Sequence, residues 1–164
     1  MSTKLNVQQI IGQNISYWKK QNQAITTFFN QYEDAYYQSR VAPSRNRAVY
    51  IFGHLISSSD GILPLFGIGE RIYPEMEALF TQNPDGAFAE IPDVADLRKR
   101  WEAVNTRLEE SFAGMEPEAW LDRHTRVSEA DFALDPQRNK LNVLISRAGH
   151  IGYHMGQLAL LNKK

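Results

Sequence analysis

The chain of 164 residues contains no cysteine, which excludes disulfide bonds and any metal site built from thiolates. A thiol that takes part in chemistry must therefore come from a substrate or cosubstrate. Neither sign of charge is in excess, because 18 basic and 19 acidic residues leave a net charge of −1. This balance does not provide the basic stripe of a nucleic-acid-binding protein, so we expect no nucleic-acid partner.

Long apolar runs are also scarce. The opening residues, MSTKLNVQQIIGQN, are polar and do not resemble a secretory signal peptide. No apolar run approaches the ~20 residues of a membrane span, so we expect no membrane partner. These features predict a cytoplasmic protein that folds as a single domain over residues 1–164, a length that can bury a full core.

The chain is rich in apolar residues spaced three and four apart, which is the period of a helix buried on one face. This spacing predicts four long helices, at residues 5–38, 45–67, 94–115 and 139–162. Glycine, proline and asparagine interrupt residues 68–91, where we expect a long crossover with one short helix at 74–81. The fold class predicted is all-α, as a four-helix bundle.

Three of the four histidines occupy predicted helices. His150 and His154 lie four residues apart in the last helix, so their side chains project from one face, at the border of its apolar stripe. Such a pair can hold a divalent metal, and His54, at the edge of the apolar face of the second helix, would supply a third imidazole. Three neutral imidazoles leave coordination positions open, as in catalytic metal sites. Alternatively, these histidines are hydrogen-bonded core residues.

Two further residues are candidates for a supporting role. Gln157 lies one turn after His154 and could bond a metal-bound water or orient an imidazole; alternatively it is a solvated residue at the helix end. Asp60 could act as a base if Gly61 and Pro64 distort the second helix.

The segment 122–138 is polar, and we expect a loop that includes His124, although a short strand is an alternative. An arginine in this loop could hold a substrate carboxylate or phosphate, or the loop could simply be solvated. The role of His124 stays open at this point.

Three glycines, Gly149, Gly152 and Gly156, lie beside the histidine pair, although each weakens a helix by about 1 kcal/mol relative to alanine. Their spacing forms a ridge of small residues that would let another helix approach closely. We expect that helix to belong to the same chain; the alternative is a homodimer interface.

Two stretches, GHLISSSDGILPLFGIG and LISRAGHIGYHMGQLALL, resemble the DinB/YfiT-like superfamily of metalloenzymes. The specific part of the resemblance is His54 in the second helix, then His150 and His154 followed by Gly156 and Gln157. It implies a DinB-like four-helix bundle with a crossover between helices two and three, and one divalent metal, most often zinc or nickel, on the three histidines. It also implies that a homodimer is a fair expectation.

The resemblance leaves the reaction open. Members of the superfamily often use a low-molecular-weight thiol, such as bacillithiol or mycothiol, so it implies a thiol-dependent S-transferase or isomerase that acts on a small-molecule substrate. The metal would then favour the thiolate. A first alternative is a metal-dependent hydrolase that activates a bound water. A second is a non-catalytic, stress-related binding or interaction bundle, whose metal is structural or absent.

Overall fold

The computed structural model describes residues 2–161, with side chains from Val7 onwards. Within that range it contains helices and two isolated antiparallel bridges but no strand, so the all-α class is confirmed. The α-helices of the described chain are α1 (Ser2–Phe29), α2 (Ala48–Asp60), α3 (Ile62–Phe66), α4 (Glu75–Glu77), α5 (Val94–Ala113), α6 (Glu129–Leu134) and α7 (Lys140–Leu158). A π-helical turn, Ala78–Gln82, continues α4, and 3-10 turns occupy Asp34–Gln38, Pro117–Leu121 and Ala159–Leu161.

The helix α2 lies at the centre of the fold. It packs on both α5 and α7, while α1 packs along α7. Every residue of α2 is buried except His54 and Ser58, which are half-buried. On its apolar side, the Phe52 ring stacks on Phe29 with ring centroids 3.9 Å apart. Burial of such aromatic rings supplies much of the stabilisation of a core.

The stretch Ala48–Phe66, which covers α2 and α3, is long and apolar enough to cross a membrane, so the expectation that no run approaches this length was wrong. Most of the stretch is buried inside the fold. This is the placement of a core helix in a soluble protein.

The first helix is shorter than its apolar period predicts, because α1 ends at Phe29 rather than at residue 38. The Tyr37 hydroxyl donates a hydrogen bond to the Phe28 carbonyl at 2.7 Å and accepts one from the Tyr32 backbone N–H at 3.0 Å. These bonds turn the chain back on the end of α1 and bury Tyr37. The aromatic residues after Phe29 therefore belong to a folded-back turn and not to a continuing helix.

The other boundaries follow the predictions more closely. The short helix predicted within residues 68–91 is confirmed by α4 and the π-helical turn, and the second helix is divided at Gly61. The segment 122–138 is not entirely a loop, since it contains α6, whose N-terminus is capped by the Ser128 side chain. The predicted end of the last helix, residue 162, lies outside the described residues.

The three glycines of the α7 ridge do not share one contact surface with another helix of the chain. A Cβ atom added to Gly149 or Gly156 would meet no atom within 4 Å, whereas one added to Gly152 would lie 3.2 Å from Oε1 of Gln21 in α1. The expectation of a close helix approach therefore holds only for Gly152. The homodimer stays a prediction.

We expect Gly149→Ala to raise the free energy of unfolding by about 0.5–1 kcal/mol, because alanine has the higher helix propensity and meets open space. Gly53→Ala, also within a helix, should instead lower it by about 1–3 kcal/mol, because its Cβ would lie 2.4 Å from the Phe80 ring. Urea denaturation of the two variants measures both changes. Equal effects would contradict this assignment of the two glycines.

Candidate metal centre

A stripe of polar side chains follows α2 on the side that contacts residues 71–85. Its members, counted from the residue that caps the helix, are spaced three or four apart and share one face: Arg47, Tyr50, His54 and Ser57. Each of them forms a hydrogen bond with the segment 71–85. We call this set the α2 polar stripe. The stripe attaches the segment 71–85 to α2 and places His54 in the middle of the attachment.

Phe80 orients the imidazole of His54. The Nδ1–H of His54 donates to the Phe80 carbonyl at 2.8 Å, near the end of the π-helical turn, where a helix leaves its carbonyls free for other donors. The Phe80 ring lies directly against Gly53, at a distance that no side chain there would permit. Because Nδ1 carries the proton, Nε2 of His54 keeps its lone pair, and this atom lies 3.1 Å from Nε2 of His150.

An ion pair between Arg47 and Asp85 holds the end of the segment 71–85. The Arg47 side chain and backbone N–H both bond the carboxylate of Asp85, whose side chain is only 2% exposed. Burial alone would raise the pKa of Asp85, but the hydrogen bonds from Arg47 hold this pKa below its usual value. Sequence reasoning missed this pair. The signal was present as Asp85 in an Asn-Pro-Asp-Gly turn and Arg47 at the start of an apolar helix.

Gln157 orients the imidazole of His154, as Phe80 orients that of His54. The Nδ1–H of His154 donates to Oε1 of Gln157 at 2.7 Å, and the Gln157 amide donates to the Tyr153 hydroxyl at 3.0 Å. The Nε2 atom of His154 is thereby left with its lone pair, 3.0 Å from Nε2 of His150. Of the roles considered for Gln157, the structure shows the orientation of an imidazole.

The three imidazoles of His54, His150 and His154 thus bring their Nε2 atoms together. A donor atom from each lies within 4.8 Å of the others. Two of these nitrogens present lone pairs to the third, and His150 can donate a single proton to only one of them. At least one close nitrogen contact therefore has no proton between its atoms.

A metal ion fits this arrangement. Nitrogen ligands about 2.05 Å from a tetrahedral zinc lie about 3.3 Å from one another, close to the separations of 3.0 and 3.1 Å found here. No cysteine or carboxylate in the described chain joins the group, and neither does His124. The donor set is thus three imidazole nitrogens, which suits zinc, nickel, copper or iron.

The electrostatics keep the three histidines neutral. Burial, together with the neighbouring His154, His54 and Arg147, lowers the pKa of His150 to about 4. Burial also lowers the pKa of His54 and of His154, although their hydrogen bonds to Phe80 and Gln157 oppose this effect. A neutral imidazole is the form that binds a metal, so no proton has to leave at neutral pH.

The remaining candidates are placed elsewhere or line the site. The buried carboxylate of Asp60 accepts hydrogen bonds from the backbone N–H groups of Ile72 and Tyr73, both at 2.9 Å, and thus holds the segment 71–85 rather than facing the histidines. Ser57 and Ser58 line a cavity next to His54. His124 has a buried Nδ1 with no hydrogen-bond partner, and it lies outside the histidine group.

Two small cavities lie beside the three histidines. One, of about 200 Å³, reaches His54 and His150, and the other, of about 140 Å³, reaches His54 and His154 next to Tyr50. A larger groove of about 560 Å³ lies between α1 and α5 and includes none of the three histidines. We place the candidate site at the smaller cavities, because the convergent nitrogen atoms are there and the groove offers only scattered polar groups.

Comparison with models of known protein families and with curated protein sequences finds no match for this chain.

The stability of the metal-free protein should depend on pH through these histidines. Because their pKa values are lower in the folded chain, the unfolded chain binds more protons between pH 6.5 and about 4. The stabilisation is complete above pH 6.5 and is lost as the pH falls through this window. Urea denaturation of chelator-treated protein at pH 7, 6 and 5 measures the loss, which His150→Gln should reduce.

Gly149→Ala is the matched control, since it changes the neighbouring position without changing a titratable group. It should keep the wild-type dependence on pH. A wild-type stability that is constant from pH 7 to pH 5 would contradict the neutral state of the three histidines.

Proposed function

We propose that this protein is a divalent-metal-dependent enzyme of the DinB-like kind, in which His54, His150 and His154 hold one ion, zinc or nickel first among the candidates. The observation that carries the proposal is the convergence of three Nε2 atoms, two of which, in His54 and His154, keep their lone pairs because Nδ1 donates a hydrogen bond. Metal-binding histidines characteristically have such partners on the other ring nitrogen. The helices α1, α2, α5 and α7 would then form the four-helix bundle, with residues 67–93 as its crossover.

The donor set favours a catalytic over a structural ion. Structural zinc sites are closed by four protein ligands, whereas three protein ligands leave a position for substrate. When bound, a divalent ion supplies a Lewis acid that lowers the pKa of a thiol or a water molecule. The described residues add no fourth ligand to the group, which argues against a structural ion.

Within this class we propose a thiol-dependent S-transferase or isomerase acting on a small molecule. In the transfer, the sulfur of a low-molecular-weight thiol bonds to an electrophilic carbon, the leaving group departs with its electron pair, and the thiol proton passes to solvent. The chain has no cysteine of its own to compete for the metal. We assign the protein to the cytoplasm, where free thiols are kept reduced.

The protein's own residues orient and enclose the reacting groups. The Phe80 carbonyl and the Gln157 amide hold two imidazoles in a single orientation. Tyr50 is held against the crossover by its bond to Asn83 and forms one wall of the smaller cavity. These contacts fix the site before substrate arrives, which reduces the entropy lost on reaction.

We expect wild-type protein to contain about one equivalent of a divalent metal and His54→Ala to lose it, because two imidazoles bind far more weakly than three. His124→Ala is the matched control and should retain the metal, since His124 lies outside the group. Elemental analysis after extensive dialysis gives both values. Wild-type protein without metal, even after reconstitution, would refute the proposal.

The same variants decide the reaction. A panel of low-molecular-weight thiols with electrophilic substrates, and of esters and amides without thiol, should show metal-dependent thiol consumption by wild type and by His124→Ala but not by His54→Ala. Hydrolysis without thiol would instead assign the hydrolase. Equal activity in wild type and His54→Ala would exclude the histidine site as the catalyst.

Gln157→Leu should weaken metal binding by about 10- to 100-fold, because the His154 imidazole loses the acceptor that sets its tautomer and orientation. Tyr153→Phe, which leaves the bond between Gln157 and His154 in place, should change the affinity little. Competition with a chromogenic chelator measures both affinities. A Gln157→Leu protein with wild-type affinity would contradict the orienting role.

A further inference from the structure

The cavity of about 200 Å³ beside His54 and His150 has an unusual charge. Three arginines from separate parts of the chain line it: Arg71 from the crossover, Arg126 from the segment before α6, and Arg147 from α7. Glu77 is the one acidic residue in the lining. We call this space the arginine cavity.

The arginines are not equally neutralised. Arg71 pairs with Glu77 at 3.1 Å and donates to the Ser57 carbonyl at 2.9 Å. Among the side chains that the structure describes, from Val7 to Leu161, those of Arg126 and Arg147 form no ion pair or hydrogen bond with the protein. The cavity therefore has an excess of about two positive charges, and one of them, Arg147, is half-buried.

A half-buried guanidinium without an anionic partner is costly, because it loses hydration without gaining an ion pair. Burial lowers the pKa of Arg147, and the nearby charges of Arg126 and Arg71 lower it further. An arginine that served the fold alone would be expected to carry a carboxylate partner, as Arg47 does with Asp85. The unpaired state of Arg147 points instead to an anion supplied from outside.

Gly61 supports the same interpretation. A Cβ atom at this position would lie 3.0 Å from Nη2 of Arg71, so glycine leaves room for the Arg71 guanidinium at the cavity wall. The hydroxyls of Ser57 and Ser58 line the same space. Guanidinium groups and hydroxyls are the donors that proteins use to hold carboxylate and phosphate oxygens.

We propose that the arginine cavity binds an oxyanion group, carboxylate or phosphate, of the substrate or thiol that reacts at the three histidines. The volume of about 200 Å³ accommodates such a group rather than a whole ligand, whose remainder would extend toward His54 and His150. Arg147 lies one turn before His150 on the same face of α7, so an oxyanion held there is next to the convergent nitrogens. The link to a substrate rests on the proposed function, whereas oxyanion binding itself does not.

The test uses the full-length, chelator-treated protein, titrated with inorganic phosphate and separately with acetate at constant ionic strength. Saturable changes in the NMR spectrum and a rise in melting temperature report binding. We expect wild type to saturate with at least one of the two anions, and Arg147→Gln to bind that anion about tenfold more weakly or worse. Tighter binding of phosphate assigns phosphorylated ligands, and tighter binding of acetate assigns carboxylates.

Arg138→Gln is the matched control, because it removes the same charge from an exposed position outside the cavity. Its affinity should stay within about twofold of wild type, since an exposed charge outside the cavity is largely screened by salt. Arg126→Gln, in a segment outside the long helices, gives a second variant if Arg147→Gln fails to fold, and it should also weaken binding. Absence of saturable binding by wild type, or equal losses in the cavity variants and Arg138→Gln, would overturn the inference.

The metal content of the same preparations before chelation keeps the two proposals separate. Oxyanion binding by a protein that holds no metal, even after reconstitution, would support the cavity and refute the metal enzyme. Metal without oxyanion binding would leave the metal centre standing and overturn the cavity.

Discussion

The hydrogen bonds between the α2 polar stripe and residues 71–85 are the constraint on which the site depends. The helix α2 lies between α5 and α7, and its apolar side chains pack in the core. Its buried polar side chains need hydrogen-bond partners, which must lie on the remaining side of the helix. The segment 71–85 provides these partners. Because the Phe80 ring fits against Gly53, the Phe80 carbonyl comes within reach of His54, and the same segment continues to the Asp85 carboxylate that Arg47 binds.

The consequence for the histidines is that their orientation is set from outside the group. His54 is anchored by a backbone carbonyl of the segment 71–85, and His154 by a glutamine of its own helix. The candidate site joins His54 of α2 to His150 of α7, which lie 96 positions apart in the chain. Three neutral imidazoles in close contact give little stability by themselves. Their convergence therefore departs from the usual rule that the residues of a chain favour the stability of its fold. Such departures are expected at functional sites.

The arginines next to the histidines influence the protonation of these imidazoles. The positive charge of Arg147 lowers the pKa values of His54 and His150, which favours the neutral imidazoles that a metal requires. The same charge makes the adjacent cavity favourable for an anion. One unpaired side chain therefore connects the ligand chemistry of the histidines with the charge of the group that would enter beside them.

Helical periodicity was sufficient to predict the all-α class, the approximate extent of α5 and α7, and the common face of His150 and His154, because these properties depend on neighbours within four residues. It failed where contacts between residues more than four positions apart decided: the Tyr37 bonds that end α1, and the bonds that fix residues 71–85. The tautomers of His54 and His154 and the unpaired state of Arg147 were equally beyond it. Local spacing determines which side chains share a helix face, but only the packing of one helix against another determines which atoms meet.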